Sequence, residues 1–209
     1  MKKRIFLVDF DRTISDRDTT DAILERHNPD LLASTRKMFR KGEIDIKKYL
    51  QILVESLSMT EKEFEKEIAV GIEIDSFFKD FFQKNPEIRI VSAGTYHNVM
   101  SNLKKAGIEF PKEHIYSNML KFQGKMIRVE FPDADSFEGI CKKRIVEKYK
   151  KKYKEVVFIG DGSSDYYGAS EAHRVFAKRG LRLEEYCLTN NIEYTSYESF
   201  EDIIKIYNI

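Results

Sequence analysis

Four short apolar runs recur along the chain: Ile5–Val8, Ile88–Val91, Val156–Ile159 and Val175–Ala177. Each is nearly continuous in apolar residues and rich in β-branched ones. That pattern predicts strands buried on both faces, as in a parallel sheet. Helical patterns lie between them. The stretch IDSFFKDFFQKN (Ile74–Asn85) precedes the second run, with Phe77, Phe78, Phe81 and Phe82 forming one core-facing side. Thr95–Gly107 follows that run, and Cys141–Tyr153 precedes the third. Strand–helix alternation predicts a doubly wound α/β domain.

Two segments break the alternation. Residues 15–72 contain no convincing strand and read as four helices, about Thr19–His27, Leu31–Arg40, Ile44–Leu57 and Glu61–Val70. Gly42 separates the second from the third, and Thr60 with Glu63 forms a capping-box pattern. We read this as a small four-helix insertion into a core made of residues 1–14 and 73–209. Residues 118–131 alternate about Gln123-Gly124, which predicts a β-hairpin within that core.

The strand ends carry the chemistry. Ligand sites in open α/β sheets lie beyond the carboxyl ends of the strands. Asp9 and Asp11 follow the first run, Ser92 the second, and Asp161 and Asp165 (GDGSSD) the third. Carboxylates that converge on one crevice need a cation if all are to ionise. An all-oxygen set without His or Cys favours a hard metal, Mg²⁺ first. Ser92 offers a hydroxyl, and Ala93, Gly94 and Thr95 offer backbone N–H groups at an expected helix start, a seat for phosphate. Lys142 begins another helix and adds a positive charge. Metal, lysine, serine and amides around a carboxylate suit phosphoryl transfer. Singly, each motif has a plainer explanation: a DxD is a solvated strand end, Ser92-Ala93-Gly94 a capped turn, and Lys142 and Lys143 a solvated helix face.

Taken in order, DFDRT (Asp9–Thr13), VSAG (Val91–Gly94), GICK (Gly139–Lys142) and GDGSSD (Gly160–Asp165) resemble the haloacid dehalogenase (HAD) superfamily of phosphatases. The resemblance runs over nearly the whole chain and implies a Rossmann-like, HAD-like sheet. The inserted helices look like the C1 cap of the phosphoserine phosphatase-like branch. VFAKRGLRLEEYC and NIEYTSYESFEDI are similar to the group of methionine-salvage and phosphoethanolamine/phosphocholine phosphatases.

The resemblance implies roles. Asp9 would be the nucleophile and form an aspartyl-phosphate. Asp11 would protonate the leaving group and then activate water. Mg²⁺ would be held by the Asp9 and Asp161 carboxylates and the Asp11 carbonyl, with Asp165 acting behind them. Thr13 would support the first loop, and Ser92, Ala93, Gly94 and Lys142 would bind the phosphoryl group. Aligned with phosphoserine phosphatases, the chain has Leu53 where they carry a substrate-gripping arginine, and Asp18 at their acidic position. L-Phosphoserine is therefore not the expected substrate. His97 reads as an exposed helix residue. Met38, Phe39 and Tyr49 either line the substrate or pack the cap.

Bulk properties narrow the field further. The chain has 209 residues, net charge +1 with acids and bases interleaved, and 34% charged residues. Neither a nucleic-acid nor a membrane partner is indicated. Two cysteines, Cys141 and Cys187, make no CxxC, which fits a reducing compartment. MKKRIFLVDF starts like a signal peptide, but its apolar run ends after four residues at Asp9. The expectation is a cytoplasmic, Mg²⁺-dependent phosphomonoesterase acting on a small phosphorylated metabolite. Two alternatives stay open: a phosphotransferase using an alcohol acceptor, and a phosphoacceptor signalling module.

Overall fold

Burial on both faces makes β1 (Lys2–Val8) an interior strand, and its residues Ile5 to Val8 are all at most 3% exposed. In this computed structural model, which describes residues 2–84 and 87–209, β1 pairs in parallel with β2 (Ile88–Thr95) and β5 (Tyr153–Gly160). Beyond β5, β6 (Arg174–Lys178) and β7 (Tyr194–Tyr197) continue the parallel ladder. β3 (Ile115–Gln123) and β4 (Met126–Glu130) form an antiparallel hairpin that turns at Gly124, whose φ is +61°. The strand order is β4-β3-β2-β1-β5-β6-β7, a mixed seven-stranded α/β sheet. All four apolar runs are strands. β7 was not anticipated, because Tyr-Thr-Ser-Tyr is short and polar, as suits an edge position.

The helices of the insertion start where their caps dictate. Asp18 accepts from the Asp21 amide at the start of α1 (Thr19–His27), and Asn28 accepts from the Leu31 amide at the start of α2 (Pro29–Arg40). Pro29 sits at the first helical position, where its missing N–H costs nothing. Asp45 caps α3 (Ile46–Glu55), which is shorter than the 44–57 expected. Thr60 and Glu63 complete the expected capping box of α4 (Glu61–Glu67).

Two local expectations need correction. Ser92, Ala93 and Gly94 continue β2 rather than opening a helix. The next helix, α6 (Tyr96–Lys105), begins only after Thr95, whose hydroxyl accepts from the Asn98 amide. The phenylalanine-rich helix α5 spans Phe78–Lys84; Asn85, expected in it, lies outside the described residues. Phe78 and Phe81 are fully buried three positions apart, whereas Phe77, before the helix starts, is 36% exposed. Phe78 meets Phe200 of α10 (Phe200–Tyr207) edge to face and Phe81 meets it tilted, at 5.0 and 5.1 Å between ring centroids.

The chain divides into two compact units. The first comprises Met1–Asp16, Ile74–Val91 and Lys142–Ile209 and contains the parallel ladder. It also holds α5, α10, α7 (Lys142–Lys150), α8 (Tyr166–Glu171) and α9 (Arg182–Thr189). The second comprises Arg17–Glu73 and Ser92–Cys141. Its core is a cluster joining Ile23, Leu32, Leu50, Leu53, Val54 and Phe64 of the helices to Leu120, Ile127 and Val129 of the hairpin. The hairpin thus packs with α1–α4, and a Ser58–Met126 bridge and a Met59 N–H bond to Lys125 O (3.0 Å) tie them together. No helix among the described residues is long and apolar enough to cross a membrane.

Candidate active site

The first unit gathers Asp9, Lys142, Asp161 and Asp165 into one buried cluster. The parallel register sets Val8 beside Ile159, and the Asp9 N–H bonds Ile159 O at 2.9 Å. The carboxyl ends of β1 and β5 thereby deliver Asp9 and Asp161 side by side. A single tight turn at Ser163–Asp165 folds Asp165 back beneath them. Its Oδ2 accepts from the Asp161 and Gly162 amides at 2.9 and 3.0 Å. Gly160 leaves room for this: a Cβ there would lie 2.5 Å from Asp165 Oδ2.

Lys142, the first residue of α7, reaches into the cluster. Its Nζ donates to Asp9 Oδ1 at 2.6 Å, Asp165 Oδ1 at 2.7 Å and Ser164 Oγ at 3.2 Å. It is 1% exposed, whereas neighbouring Lys143 points outward to Glu171 at 3.0 Å. Gly168 permits the approach of α8, since a Cβ there would press on Phe158 and on Lys142 Cβ.

The charges do not balance. Among the described residues, three buried carboxylates face one buried ammonium, and the half-exposed Arg12 guanidinium lies 3.8 Å from Asp161 Oδ2. Burial, reinforced by Asp165, pushes the Asp9 carboxyl well above its ordinary range despite Lys142. Burial and Asp165 likewise push Asp161 up to about 7, against the pull of Arg12. Carboxylates held in this state favour a cation. Oxygens of Asp9, Asp161 and Asp165 lie within 4.8 Å of one another, an all-oxygen set that fits a hard divalent ion. Both Asp165 oxygens already accept hydrogen bonds, so Asp9 and Asp161 have the more available lone pairs.

The remaining expected residues fall as follows. Asp11 lies partly buried in the same loop as Asp9. Thr13 is fully buried, and its hydroxyl has no hydrogen-bond partner among the described residues. Tyr197 Oη is likewise buried, with no hydrogen-bond partner among the described residues. Thr13 is near enough to bear on that phenol's ionisation, though outside hydrogen-bond geometry. Ser92, Ala93 and Gly94 belong to the second unit, where Ser92 Oγ accepts from the Gly94 amide at 3.0 Å. Leu53 is fully buried in that unit's apolar core, and Asp18 is spent on the α1 cap. His97, expected to be exposed, is 8% exposed: its Nε2 meets Glu61 at 3.0 Å, and its ring packs on Phe122.

Arg12 and Asn118 did not stand out in the sequence. Arg12 holds φ at +60°, a left-handed conformation uncommon for a non-glycine residue. Its position between Asp11 and Thr13 was the available signal. Nothing in the sequence marks Asn118, because its partners are distant backbone carbonyls.

Comparison with known proteins adds three observations. Residues 4–198 match the family described as "Putative Phosphatase". The chain is 30% identical to a 2-hydroxy-3-keto-5-methylthiopentenyl-1-phosphate phosphatase of Bacillus cereus (strain ATCC 14579), over 93% of this chain and 91% of that one. The protein of the same name from Bacillus mycoides (strain KBAB4) is 27% identical over 94% and 92%. Among solved structures, a substrate-bound phosphoserine phosphatase superposes with a TM-score of 0.73 over 99% of both chains at 20% identity.

Proposed function

The chain belongs to that phosphatase family, and from this premise we propose a phosphomonoesterase of the haloacid dehalogenase type, Mg²⁺-dependent and working through an aspartyl-phosphate on Asp9. The observation that carries the reading is the buried Asp9–Lys142–Asp165 triad beside Asp161. Phosphatases of this kind act on small phosphorylated molecules. The Bacillus relatives direct us to 2-hydroxy-3-keto-5-methylthiopentenyl-1-phosphate as the first substrate to try. The burial of Leu53 supports a substrate other than phosphoserine, because no cation stands at that position.

In the proposed reaction, an Asp9 carboxylate oxygen attacks phosphorus and the ester P–O bond breaks. Asp11 gives its proton to the departing alkoxide. Asp11 then takes a proton from water as that water attacks the phosphorus, and the P–O bond to Asp9 breaks to release inorganic phosphate. Lys142, held by Asp9 and Asp165, neutralises charge on the transferring group. Ser92 binds a phosphoryl oxygen through its hydroxyl. Asp9, Asp161 and the Asp11 carbonyl would hold Mg²⁺, which when bound supplies the positive charge that the cluster lacks. Helices α1–α4 serve as the cap that selects the leaving group and excludes water.

The test is a Mg²⁺-supplemented screen over phosphorylated metabolites, including the methylthiopentenyl ester, phosphoserine, phosphoethanolamine and phosphocholine. Turnover should fall by about 10⁴-fold or more in Asp9→Asn. Full activity in that variant would overturn the mechanism, and a preference for phosphoserine would overturn the substrate assignment.

A further inference from the structure

Asn118 in β3 is fully buried, and both of its side-chain hydrogens are committed to distant backbone. Nδ2 donates to Ala93 O at 2.8 Å and to Glu138 O at 3.0 Å. The first carbonyl belongs to the Ser92–Thr95 segment. The second belongs to the 136–141 loop that runs into Lys142. Within that loop Ser136 Oγ donates to Ile140 O at 2.9 Å and accepts from the Glu138 amide at 3.2 Å. Gly139, with φ at +78°, lets it close on Asn118, because a Cβ there would collide with Asn118 Oδ1 and Phe131.

The consequence follows from peptide planarity. The Ala93 carbonyl and the Gly94 N–H are opposite edges of one rigid trans unit. Asn118 holds the carbonyl edge, and the N–H edge donates to Ser92 Oγ at 3.0 Å. Fixing one edge therefore orients the other, and with it the Ser92 hydroxyl.

We propose that Asn118 is a positioning residue for phosphoryl binding: through the Ala93–Gly94 peptide it sets the direction of the Ser92 hydroxyl. The inference rests on the reading of Ser92 above and deepens it. Asn118 touches no reacting atom. It decides whether Ser92 Oγ, already accepting one hydrogen bond, presents its own hydrogen to a phosphoryl oxygen. Freed from Asn118, the peptide can rotate, and the hydroxyl loses its fixed orientation.

The experiment compares the parent enzyme with Asn118→Leu, which keeps the branched heavy-atom skeleton and removes both donors. With the phosphoester that the parent turns over, KM and the inhibition constant for inorganic phosphate should each rise about tenfold. The double variant Ser92→Ala/Asn118→Leu should bind phosphate no more weakly than Ser92→Ala alone, as expected for two residues acting through one contact. A lower Tm with phosphate inhibition unchanged would reduce Asn118 to a structural residue and overturn the proposal, as would additive losses in the double variant. If Asn118→Leu does not fold, amide NMR of the parent decides. Titration with Mg²⁺ and phosphate should shift the Gly94 amide and the Asn118 side-chain amide together; a Gly94 shift without Asn118 overturns it. A parent enzyme with no phosphatase activity on any ester would instead defeat the underlying reading of the site.

Discussion

The two units bury polar groups in opposite ways. In the first, Asp9, Asp161, Asp165 and Lys142 are all at most 7% exposed, and negative charge exceeds positive. In the second, a charged cluster forms at Asp21 of α1, shared by Arg36 of α2 and Tyr49 of α3. Arg36 donates to it at 2.8 and 3.0 Å and Tyr49 Oη at 2.6 Å. That cluster is partly solvated, every contact pairs a donor with an acceptor, and an apolar core lies beside it. Balanced polar groups of this kind join helices. An unbalanced, desolvated set is costly unless something else arrives, and it is therefore the region to read as functional.

The comparison is tested most severely at Lys142. Replacing it with Met leaves three buried carboxylates without their buried cation. Metal-free protein should lose about 3–5 kcal/mol of stability, the cost of breaking a buried pair. Turnover should drop by about 10²–10³-fold, the loss expected for one preorganised donor to a developing charge. Chemical denaturation and steady-state kinetics check both. A Lys142→Met protein with parental stability would mean that the carboxylates are simply protonated and the cluster is not strained.

The second unit should respond to volume rather than charge. Leu53→Ala should cost about 2–5 kcal/mol through the cavity it opens. Leu53→Arg should disrupt folding of this core and yield no phosphoserine turnover. A folded Leu53→Arg enzyme that gains phosphoserine activity would show that this position faces substrate after all.

Third in size is the pH dependence of metal-free stability. A carboxyl raised when folded stabilises the fold where it is protonated, and that contribution fades as pH rises through the folded value. With Asp161 pushed up to about 7, its contribution is full below about pH 4 and gone above about pH 7. Asp161→Asn should flatten this slope, leaving it about 2 kcal/mol more stable than the parent at pH 8 without metal. It should also abolish stabilisation by Mg²⁺. Melting curves between pH 4 and 8 with EDTA, then with Mg²⁺, read both effects. A parent curve that rises towards pH 8 would contradict the raised Asp161.

The smallest effect belongs to Arg36→Ala. Its ion pair with Asp21 is about one-third exposed on the arginine side, so the loss should be at most about 1 kcal/mol and should depend on salt. A loss as large as that of Lys142→Met would erase the contrast between the two units.

Much of this was legible from local patterns, because local chemistry sets it. Continuous apolar runs could only be buried strands. Thr60 with Glu63 could start a helix without help from the rest of the chain. That Asp9 and Asp161 lie at strand ends could be read from the apolar runs before them, and both are buried there. Three features were not legible. β7 is too short and polar to announce itself, and it pairs only because β6 offers an edge. The burial of His97, read as exposed, depends on Glu61 and Phe122 reaching it from other segments. Asn118 binds carbonyls 25 and 20 residues away, and no local pattern encodes contacts at such separations. Propensity, capping and hydrophobic period act over a few residues and are written in the chain. Burial, charge imbalance and long-range hydrogen bonds arise only when distant segments are brought together, and the raised Asp9 carboxyl depends on those.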